Sequence, residues 1–343
     1  MIPAMKTRTL VLAALSALQV TTVPVGAADP NNLTGTKGLG LVDKVGRQVR
    51  FLDPATRKEI SSLPVGVAPH DVAISPDRKT AYVPIYGDGI YGRNANPGHE
   101  IAVIDLETRK QTGTIDISPY QAPHGIQVDA SGLLYLSCDL SRKLVVVNPK
   151  TRAIEAAIDT EGTGHWVAIL PDASKAYVTN KNDRLFISVI DLKTRRMIGR
   201  IPAPRGTQGI VASLDGKRVI AVDMGDPAIL VIDPATDTIV DTVPLQGHRS
   251  GAFKPRYSAD GKKLLVCSTT AGLVNILDAD NLKGAQQVLA VGKDPMGFGF
   301  SADGKVALVA NHGDGTVSVV DLQTSKVVET FKAGTGIETM TYY

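Results

Sequence analysis

VIDLETRK at residues 103–110 is one of seven related octapeptides in this chain of 343 residues. Each copy has two apolar residues, then an acidic or amide residue that closes the run. The other copies are FLDPATRK (51–58), VVNPKTRA (146–153), VIDLKTRR (189–196), VIDPATDT (231–238), ILDADNLK (276–283) and VVDLQTSK (319–326). Consecutive copies lie 42 to 52 residues apart. Self-similarity at such a period indicates a repeat architecture.

Within one repeat the pattern predicts four short strands. A turn such as ADGKK (259–263) precedes an apolar run such as AYVTN (176–180), and the VID run and one further Val/Ile-rich segment follow it. Asp-Gly pairs favour tight hairpin turns, and the closing Asp is expected to build a turn as well. A long apolar period of 3.6 residues is missing throughout, so we predict an all-β protein. Four strands per repeat of this length are typical of a propeller blade.

The two ends of the chain complete one blade. Residues 38–63 contain the second, third and fourth strands of a repeat but lack the first. GIETMTYY (336–343) provides a first strand with nothing after it. We therefore predict a seven-bladed β-propeller of four-stranded blades, whose last blade is closed by the N- and C-terminal strands. That pairing would bury two exposed strand edges.

The first residues resemble an export signal. Lys6 and Arg8 precede the apolar run LVLAALSAL (10–18), and PVGAA (24–28) supplies the small residues that suit signal-peptidase cleavage. The apolar run is too short to span a bilayer. We predict a signal peptide at 1–28, a single propeller domain at 29–343, and a periplasmic or secreted protein without a membrane span.

Charge and cysteine content exclude some partners. The formal net charge is +3 and would be about +1 without Lys6 and Arg8, whereas nucleic-acid binding usually requires a strongly basic face. No nucleic-acid partner is therefore expected, and we predict a monomer. Cys138 and Cys267 fall in blades 2 and 5, too far apart for a disulfide, and are expected to be buried free thiols.

AYVTN at 176–180, with SPD or ADG turns before such strands and VIDxxT after them, resembles the YVTN-repeat family of seven-bladed propellers. The likeness covers about residues 35–343. It implies the propeller fold, and it implies similarity to the propellers of nitrous oxide reductase and of the haem d1 nitrite reductase. The cofactor motifs of those enzymes are incomplete here. The chain has fewer histidines in the relevant ring than the copper cluster of nitrous oxide reductase requires, and it lacks a C-x-x-C-H motif for covalent haem.

Three histidines occupy equivalent positions in successive repeats, in the segments APHDVAISPD (68–77), APHGIQVD (122–129) and GHWVAILPD (164–172). In a propeller, His70, His124 and His165 would begin the innermost strands of blades 1 to 3 at one mouth of the central channel. The same position in blades 4, 6 and 7 is held by Gln208, Met296 and Glu338. Three neutral imidazoles are a known metal ligand set.

Three interpretations of this histidine ring stay open. It can hold a transition metal or non-covalent haem, it can contact an organic ligand, or it can be a structural, water-lined ring. Trp166, which follows His165, is a candidate for stacking on a ligand or for packing between blades. His312 lies in a loop of blade 6 that faces the same funnel.

The segment PIYGDGIYGRNANPGHE (84–100) makes blade 1 longer than its sister blades by about nine residues. We interpret it as a loop that folds over the channel mouth beside His70 as a lid or specificity element. Its candidate ligand contacts are Tyr86, Asp88, Tyr91, Arg93 and His99.

These patterns predict an exported propeller that binds a small molecule, or another exported protein, at the funnel of its channel. The alternative is a metal- or haem-dependent periplasmic enzyme, an oxidoreductase or lyase, that uses His70, His124 and His165.

Overall fold

The computed structural model describes Met1 and residues 37–181 and 184–343. Apart from Met1, the predicted signal peptide at 1–28 lies outside the described residues. Over the described ranges the chain forms 28 strands and no helix. Accordingly, this part of the chain contains no helix long and apolar enough to cross a membrane.

The strands form seven four-stranded antiparallel sheets, which are the blades of a β-propeller. Blade 1 contains β4 (Ala73–Ile74), β5 (Thr80–Ile90), β6 (Arg93–Asp105) and β7 (Lys110–Asp116). Blade 2 contains β8 (Pro123–Val128), β9 (Leu134–Cys138), β10 (Lys143–Asn148) and β11 (Ala153–Asp159). Blade 3 contains β12 (Gly164–Ile169), β13 (Lys175–Asn180), β14 (Phe186–Asp191) and β15 (Arg196–Pro202).

The remaining blades continue the same order. Blade 4 contains β16 (Thr207–Ala212), β17 (Val219–Asp223), β18 (Ala228–Asp233) and β19 (Thr238–Pro244). Blade 5 contains β20 (Lys254–Tyr257), β21 (Lys263–Ser268), β22 (Leu273–Asp278) and β23 (Gln287–Ala290). Blade 6 contains β24 (Pro295–Phe300), β25 (Val306–Asn311), β26 (Thr316–Asp321) and β27 (Lys326–Lys332). Blade 7 contains β1 (Leu39–Asp43), β2 (Gln48–Leu52), β3 (Glu59–Pro64) and β28 (Ile337–Tyr342).

The predicted closure of the ring is confirmed in blade 7, whose strand order is β28-β1-β2-β3. Leu41 pairs with Met340 and Leu39 with Tyr342 across the seam. The first strand of every blade lines the central channel. We call the channel end at which these strands begin the upper mouth, and the opposite end the lower mouth.

Apolar side chains fill the spaces between neighbouring blades. Each of seven buried clusters combines residues from two adjacent blades, including the 6–7 and 7–1 interfaces that close the ring. Between blades 3 and 4, for example, Val189 and Tyr177 pack with Ala221 and Ile232, all fully buried. Complete burial of one Val or Ile side chain contributes about 1.5–3 kcal/mol, so the ring is held together mainly by these interfaces.

Repeated polar turns set the ends of the strands. In blade 5 the Ser258 hydroxyl donates to Asp260 at 2.7 Å, and Gly261 has φ = 72°, which favours glycine. In blade 1 the backbone N–H and the hydroxyl of Thr108 both donate to Asp105 at 2.7 Å. The closing Asp residues of the repeats are therefore turn builders, as expected.

Cys138 and Cys267 are buried free thiols, as predicted. They lie in β9 and β21, in blades 2 and 5. Burial raises the pKa of the Cys267 thiol to about 12, so this side chain is a packed apolar group and not a reactive thiolate.

A fully buried carboxylate fastens the seam of blade 7. Asp43 accepts hydrogen bonds from the backbone N–H groups of Gly336 (2.9 Å), Thr335 (3.1 Å) and Gly46 (3.0 Å), and from Arg50 Nε (2.8 Å). Burial alone would raise its pKa, but these donors outweigh burial and lower the pKa of Asp43. The carboxylate thus joins the last loop of the chain to its first strand.

Replacing Asp43 by Ala is expected to lower the free energy of unfolding by about 3 kcal/mol, because several buried donors lose their acceptor at once. Urea unfolding measures the difference. The matched control is Asp53→Ala in the same blade, where the lost carboxylate serves only an exposed local turn. A loss of about 1 kcal/mol or less is expected for that control. Equal losses in the two variants would contradict the role of Asp43 at the seam.

The sequence predicts a loop at 84–100, but the structure shows the paired ends of β5 and β6 there. Ile85 lies opposite Glu100, and Ile90 lies opposite Arg93. Only Tyr91 and Gly92 form the turn, and Gly92 has φ = 74°, a conformation that favours glycine. The expectation of a loop was wrong because ladder hydrogen bonds outweigh the poor strand propensity of its Gly, Asn and Pro residues. We call residues 80–105 the blade 1 hairpin.

Candidate functional site

The three equivalent histidines lie side by side at the upper mouth. His124 and His165 are the second residues of β8 and β12, and His70 precedes β4 by three residues. The ring centroids are 3.8 Å apart for His70 and His124 and 4.2 Å apart for His124 and His165, with a tilt of 43° in each pair. The three rings are therefore direct neighbours, as their equivalent positions in successive blades lead us to expect. We call these three residues the histidine cluster.

All three imidazoles are buried and neutral. Their exposed fractions are 4% for His70, 2% for His124 and 2% for His165. Burial is the largest cause that lowers each pKa well below the ordinary value, and nearby lysines lower it further. The neighbouring imidazoles also lower the pKa of His70 and His165, whereas a hydrogen bond with the backbone of His165 partly offsets the decrease at His124. The Nδ1 atom of each ring is buried without a hydrogen-bond partner among the described residues. Buried polar atoms are nearly always paired, so three unpaired nitrogens at one place point to a bound ligand or water.

The tip of the blade 1 hairpin covers the histidine cluster. The Tyr91 ring centroid lies 4.6 Å from that of His165, edge to face. Tyr86 lies 5.5 Å from His70 and 5.6 Å from His124. The predicted position of this segment over the mouth is confirmed.

An aspartate of the neighbouring blade fastens the hairpin. Asp139 follows β9 in blade 2 and accepts a hydrogen bond from the Tyr86 hydroxyl at 2.6 Å and one from the Gly92 N–H at 3.1 Å. The Tyr91 hydroxyl donates to the carbonyl oxygen of Thr163, at the start of blade 3. These contacts hold the hairpin closed across blades 1 to 3.

Charged side chains complete the upper mouth. Glu338 is 2% exposed and lies 3.6 Å from Lys44 Nζ, 3.7 Å from His70 Nε2 and 3.4 Å from His312 Nδ1. Its Oε2 has no hydrogen-bond partner in the described part of the chain. Lys181 lies on the other side, 5.2 Å from the centroid of the Tyr91 ring, and burial lowers its pKa.

A second layer closes the channel beneath the imidazoles. The ammonium of Lys254 lies 3.7 Å from the Trp166 ring centroid and 3.9 Å from Asp71. Trp166 also contacts His124 edge to face at 5.0 Å and belongs to the cluster between blades 3 and 4. Trp166 therefore both packs between blades and forms the floor of the histidine cluster.

Some candidate residues are not brought to the cluster. Asp88 and Arg93 are exposed at the hairpin tip. His99 is exposed at the hairpin base, where it contacts Asp116 at 3.1 Å. Gln208 and Met296 lie in the first strands of blades 4 and 6, and Gln208 Oε1 is buried without a hydrogen-bond partner among the described residues.

The fit of a metal ion is partial. Imidazole nitrogens are donors that transition metals prefer, and the three unpartnered Nδ1 atoms match that chemistry. Within residues 37–181 and 184–343, however, no group of three or more His, Cys, Asp or Glu side chains has an arrangement that could hold a metal ion. A metal at His70, His124 and His165, or non-covalent haem there, stays a prediction.

Sequence reasoning missed Asp139, Lys44, Asp71 and Lys254. Asp71 and Lys254 could have been found, because they follow the ring positions of blades 1 and 5 by one residue. The sequence around Asp139 does not mark it as a site residue, because its role depends on contact with the blade 1 hairpin, which belongs to a different repeat.

Comparison with known proteins supports the fold and goes no further. No protein-family model matches the chain, and no curated protein matches it significantly. A solved structure of hydrazine synthase from Kuenenia stuttgartiensis superposes with a TM-score of 0.72 at 19% sequence identity. The match covers 89% of this chain and 99% of the other. At this identity the likeness shows a shared propeller fold.

Proposed function

We propose that this protein is an exported propeller of the YVTN-repeat type that binds a small ligand in the histidine cluster, beneath the blade 1 hairpin. One observation carries the proposal: three adjacent imidazoles are buried and neutral, and none has a partner for its Nδ1 among the described residues. Leaving a buried polar atom unpaired costs about 1–3 kcal/mol. A ligand that satisfies three such atoms would remove that cost.

The surroundings restrict the ligand. Each neutral imidazole presents either an N–H or a lone pair at Nδ1, so the ligand is polar and meets hydrogen bonds or coordination there. Lys181 and Lys44 bring positive charge, and Glu338 brings a buried carboxylate. The imidazoles are nearly inaccessible from outside, which favours a small molecule or ion over the surface of another protein.

Access requires movement of the hairpin. The bonds from Tyr86 and Gly92 to Asp139 would have to open for a ligand to pass and would re-form above it. In this proposal the hairpin acts as a lid, and its two tyrosine rings form the upper wall of the bound state.

The test is to purify the protein without chelators and to examine it by native mass spectrometry and metal analysis. Zn(II), Cu(II) and Ni(II) are then titrated as probes, with the melting temperature as readout. We expect one ligand per chain, either co-purified or taken up from the probes. A ligand at 100 times its Kd should stabilise the fold by about 2.7 kcal/mol. The variants His124→Ala and His124→Gln should lose both the ligand and the stabilisation.

His99→Ala is the matched control, because His99 is exposed and lies outside the cluster. It should bind as the wild type does. An empty wild-type protein whose melting temperature none of the probes shifts would contradict ligand binding, and the cluster would then be a structural ring. Metal or haem in stoichiometric amount would support the enzyme alternative, whereas an organic mass would support the binding-protein reading.

A further inference from the structure

The lower mouth of the channel contains a cavity that the histidine cluster does not use. Its volume is about 510 Å³, and all seven blades contribute to its wall. A smaller cavity of about 190 Å³ adjoins it, and Gln127 and Arg256 line both. A volume of this size lies within the roughly 300–1,000 Å³ that is typical of small-molecule sites.

Small side chains contribute to the cavity wall in the later halves of three innermost strands. Ala168, Ala212 and Gly299 face it from blades 3, 4 and 6. Nearer the upper mouth, β12 carries His165 and Trp166. Along the innermost strands, Trp166, Lys254 and Asp71 lie between the histidine cluster and the residues that line this cavity.

The charge of the lower compartment is one-sided. Arg256 projects from β20 and is half-buried, and Arg78 lies at the rim, where it donates to the carbonyl oxygen of Tyr342 at 3.0 Å. The described residues that line the two cavities include no Asp or Glu. The acidic side chains of nearby turns are otherwise engaged, as Asp260 is with the Ser258 hydroxyl and the Lys262 N–H.

Arg256 has no direct hydrogen-bonding partner for its charge. Its guanidinium forms neither a hydrogen bond nor an ion pair with another described side chain. The buried carboxylate of Asp71 lies within electrostatic range of Arg256, but the cation in direct contact with Asp71 is Lys254, at 3.9 Å. A guanidinium has five N–H donors, and these bind the oxygens of a carboxylate, sulfonate or phosphate well. The wall around it is mixed: polar and apolar groups contribute about equally, and the aromatic residues Phe298, Phe300 and Tyr257 are among them.

We propose that the lower mouth is a second ligand site, which takes a small organic anion with an apolar or aromatic body and holds its acidic group on Arg256. The site is independent of the histidine cluster, because it opens at the other end of the channel.

A matched pair of fluorescent probes tests the proposal. 8-Anilinonaphthalene-1-sulfonate carries an acidic group on an aromatic body, and N-phenyl-1-naphthylamine has the same body without that group. We expect the sulfonate to bind the folded protein at one site per chain. The variants Arg256→Gln and Arg256→Met should weaken it by about tenfold or more, while binding of the uncharged probe changes less than twofold.

Two further variants separate charge from fold. Arg196→Gln removes an exposed arginine of β15 far from the cavity and should leave the affinity for the sulfonate unchanged. Ala212→Phe fills the cavity with Arg256 in place and should abolish binding of both probes. Far-UV circular dichroism and melting curves show that each variant is folded.

Three results would overturn the proposal: the sulfonate fails to bind saturably, Arg256 variants that are folded bind it as the wild type does, or both probes lose affinity equally in Arg256→Gln. None of these results bears on the histidine cluster. Conversely, loss of ligand from His124→Ala leaves sulfonate binding in place.

Discussion

Deleting residues 337–343 is expected to abolish the cooperative fold. The deletion removes β28, which is the innermost strand of blade 7. It exposes the backbone edge of β1 and opens both blade interfaces at the seam, to which Ile337, Met340 and Tyr343 contribute as buried residues. It also removes the two backbone hydrogen bonds between Gly38 and Tyr343.

The magnitude of the loss follows from the buried side chains. A single large-to-Ala change in a core costs about 3–5 kcal/mol for an aromatic residue, and several such residues are lost together here. That sum approaches or exceeds the roughly 5–15 kcal/mol that stabilise an ordinary domain. Circular dichroism and thermal unfolding should show no sharp transition for the truncated chain.

Two further measurements complete this experiment: a single substitution with a smaller expected effect, and addition of the missing strand as a peptide. Tyr343→Ala should keep the fold and lower the free energy of unfolding by about 3–5 kcal/mol. A synthetic peptide of residues 336–343 should restore a transition to the truncated chain, whereas a scrambled peptide should not. A truncated protein that melts sharply at the wild-type temperature would contradict closure of the ring through β28.

The histidine cluster should make the protein unstable in mild acid. In the folded state the pKa of His70, His124 and His165 lies well below the ordinary value of about 6.5. Below pH 6.5 the unfolded chain therefore binds up to three protons that the folded chain rejects. Stability is complete above about pH 6.5 and falls as the pH decreases from there toward the pKa values of the folded state.

The expected slope is large. Each histidine contributes up to about 1.4 kcal/mol per pH unit, so the cluster contributes up to about 4 kcal/mol per unit. Urea unfolding between pH 7.5 and 5.5 measures it. Burial raises the pKa of Asp71 and of Asp139, which acts in the opposite sense because the folded state then takes up their protons first.

Comparison of histidine variants isolates the contribution of the histidines to the pH dependence of stability, because every variant retains Asp71 and Asp139. The variant with His70, His124 and His165 all changed to Gln should lose most of the slope, and His124→Gln alone should lose about 1.4 kcal/mol per pH unit. His99→Gln changes an exposed histidine and should leave the slope as it is. An unchanged slope in the triple variant would show that the imidazoles are not the groups that reject protons.

The two ligand proposals assign different chemistry to the two ends of one channel. At the upper mouth the groups are neutral imidazoles under a hairpin held by Asp139. At the lower mouth the group is the guanidinium of Arg256, which forms no direct ion pair with a described side chain and lines an open cavity of mixed polarity. Trp166 and Lys254 lie between them, so ligands of the two sites are not expected to compete.

Part of the site could be predicted because repeats impose equivalence. His70, His124 and His165 hold the same position in three successive repeats, and equivalent positions in a closed ring must lie at one radius and height. The position of residues 84–100 over the mouth follows from the same equivalence. Its strand pairing does not, because a segment rich in Gly and Asn has weak intrinsic strand preference and is ordered by its ladder and by Asp139.

Other parts depended on contacts between blades that are distant in sequence. The tilted packing of the imidazoles against one another and against Tyr86 and Tyr91 involves three blades. The wall of the lower cavity combines residues from all seven blades.

From its sequence alone this protein is determined to be a closed ring of seven four-stranded blades, because strand period, turn chemistry and repeat number are local properties that can be counted along the chain. The burial of the histidines, the strand pairing of residues 84–100 with their attachment to Asp139, and the surroundings of Arg256 were decided only by the tertiary structure. Those properties depend on burial and on which side chains from different blades meet, and no local pattern encodes either.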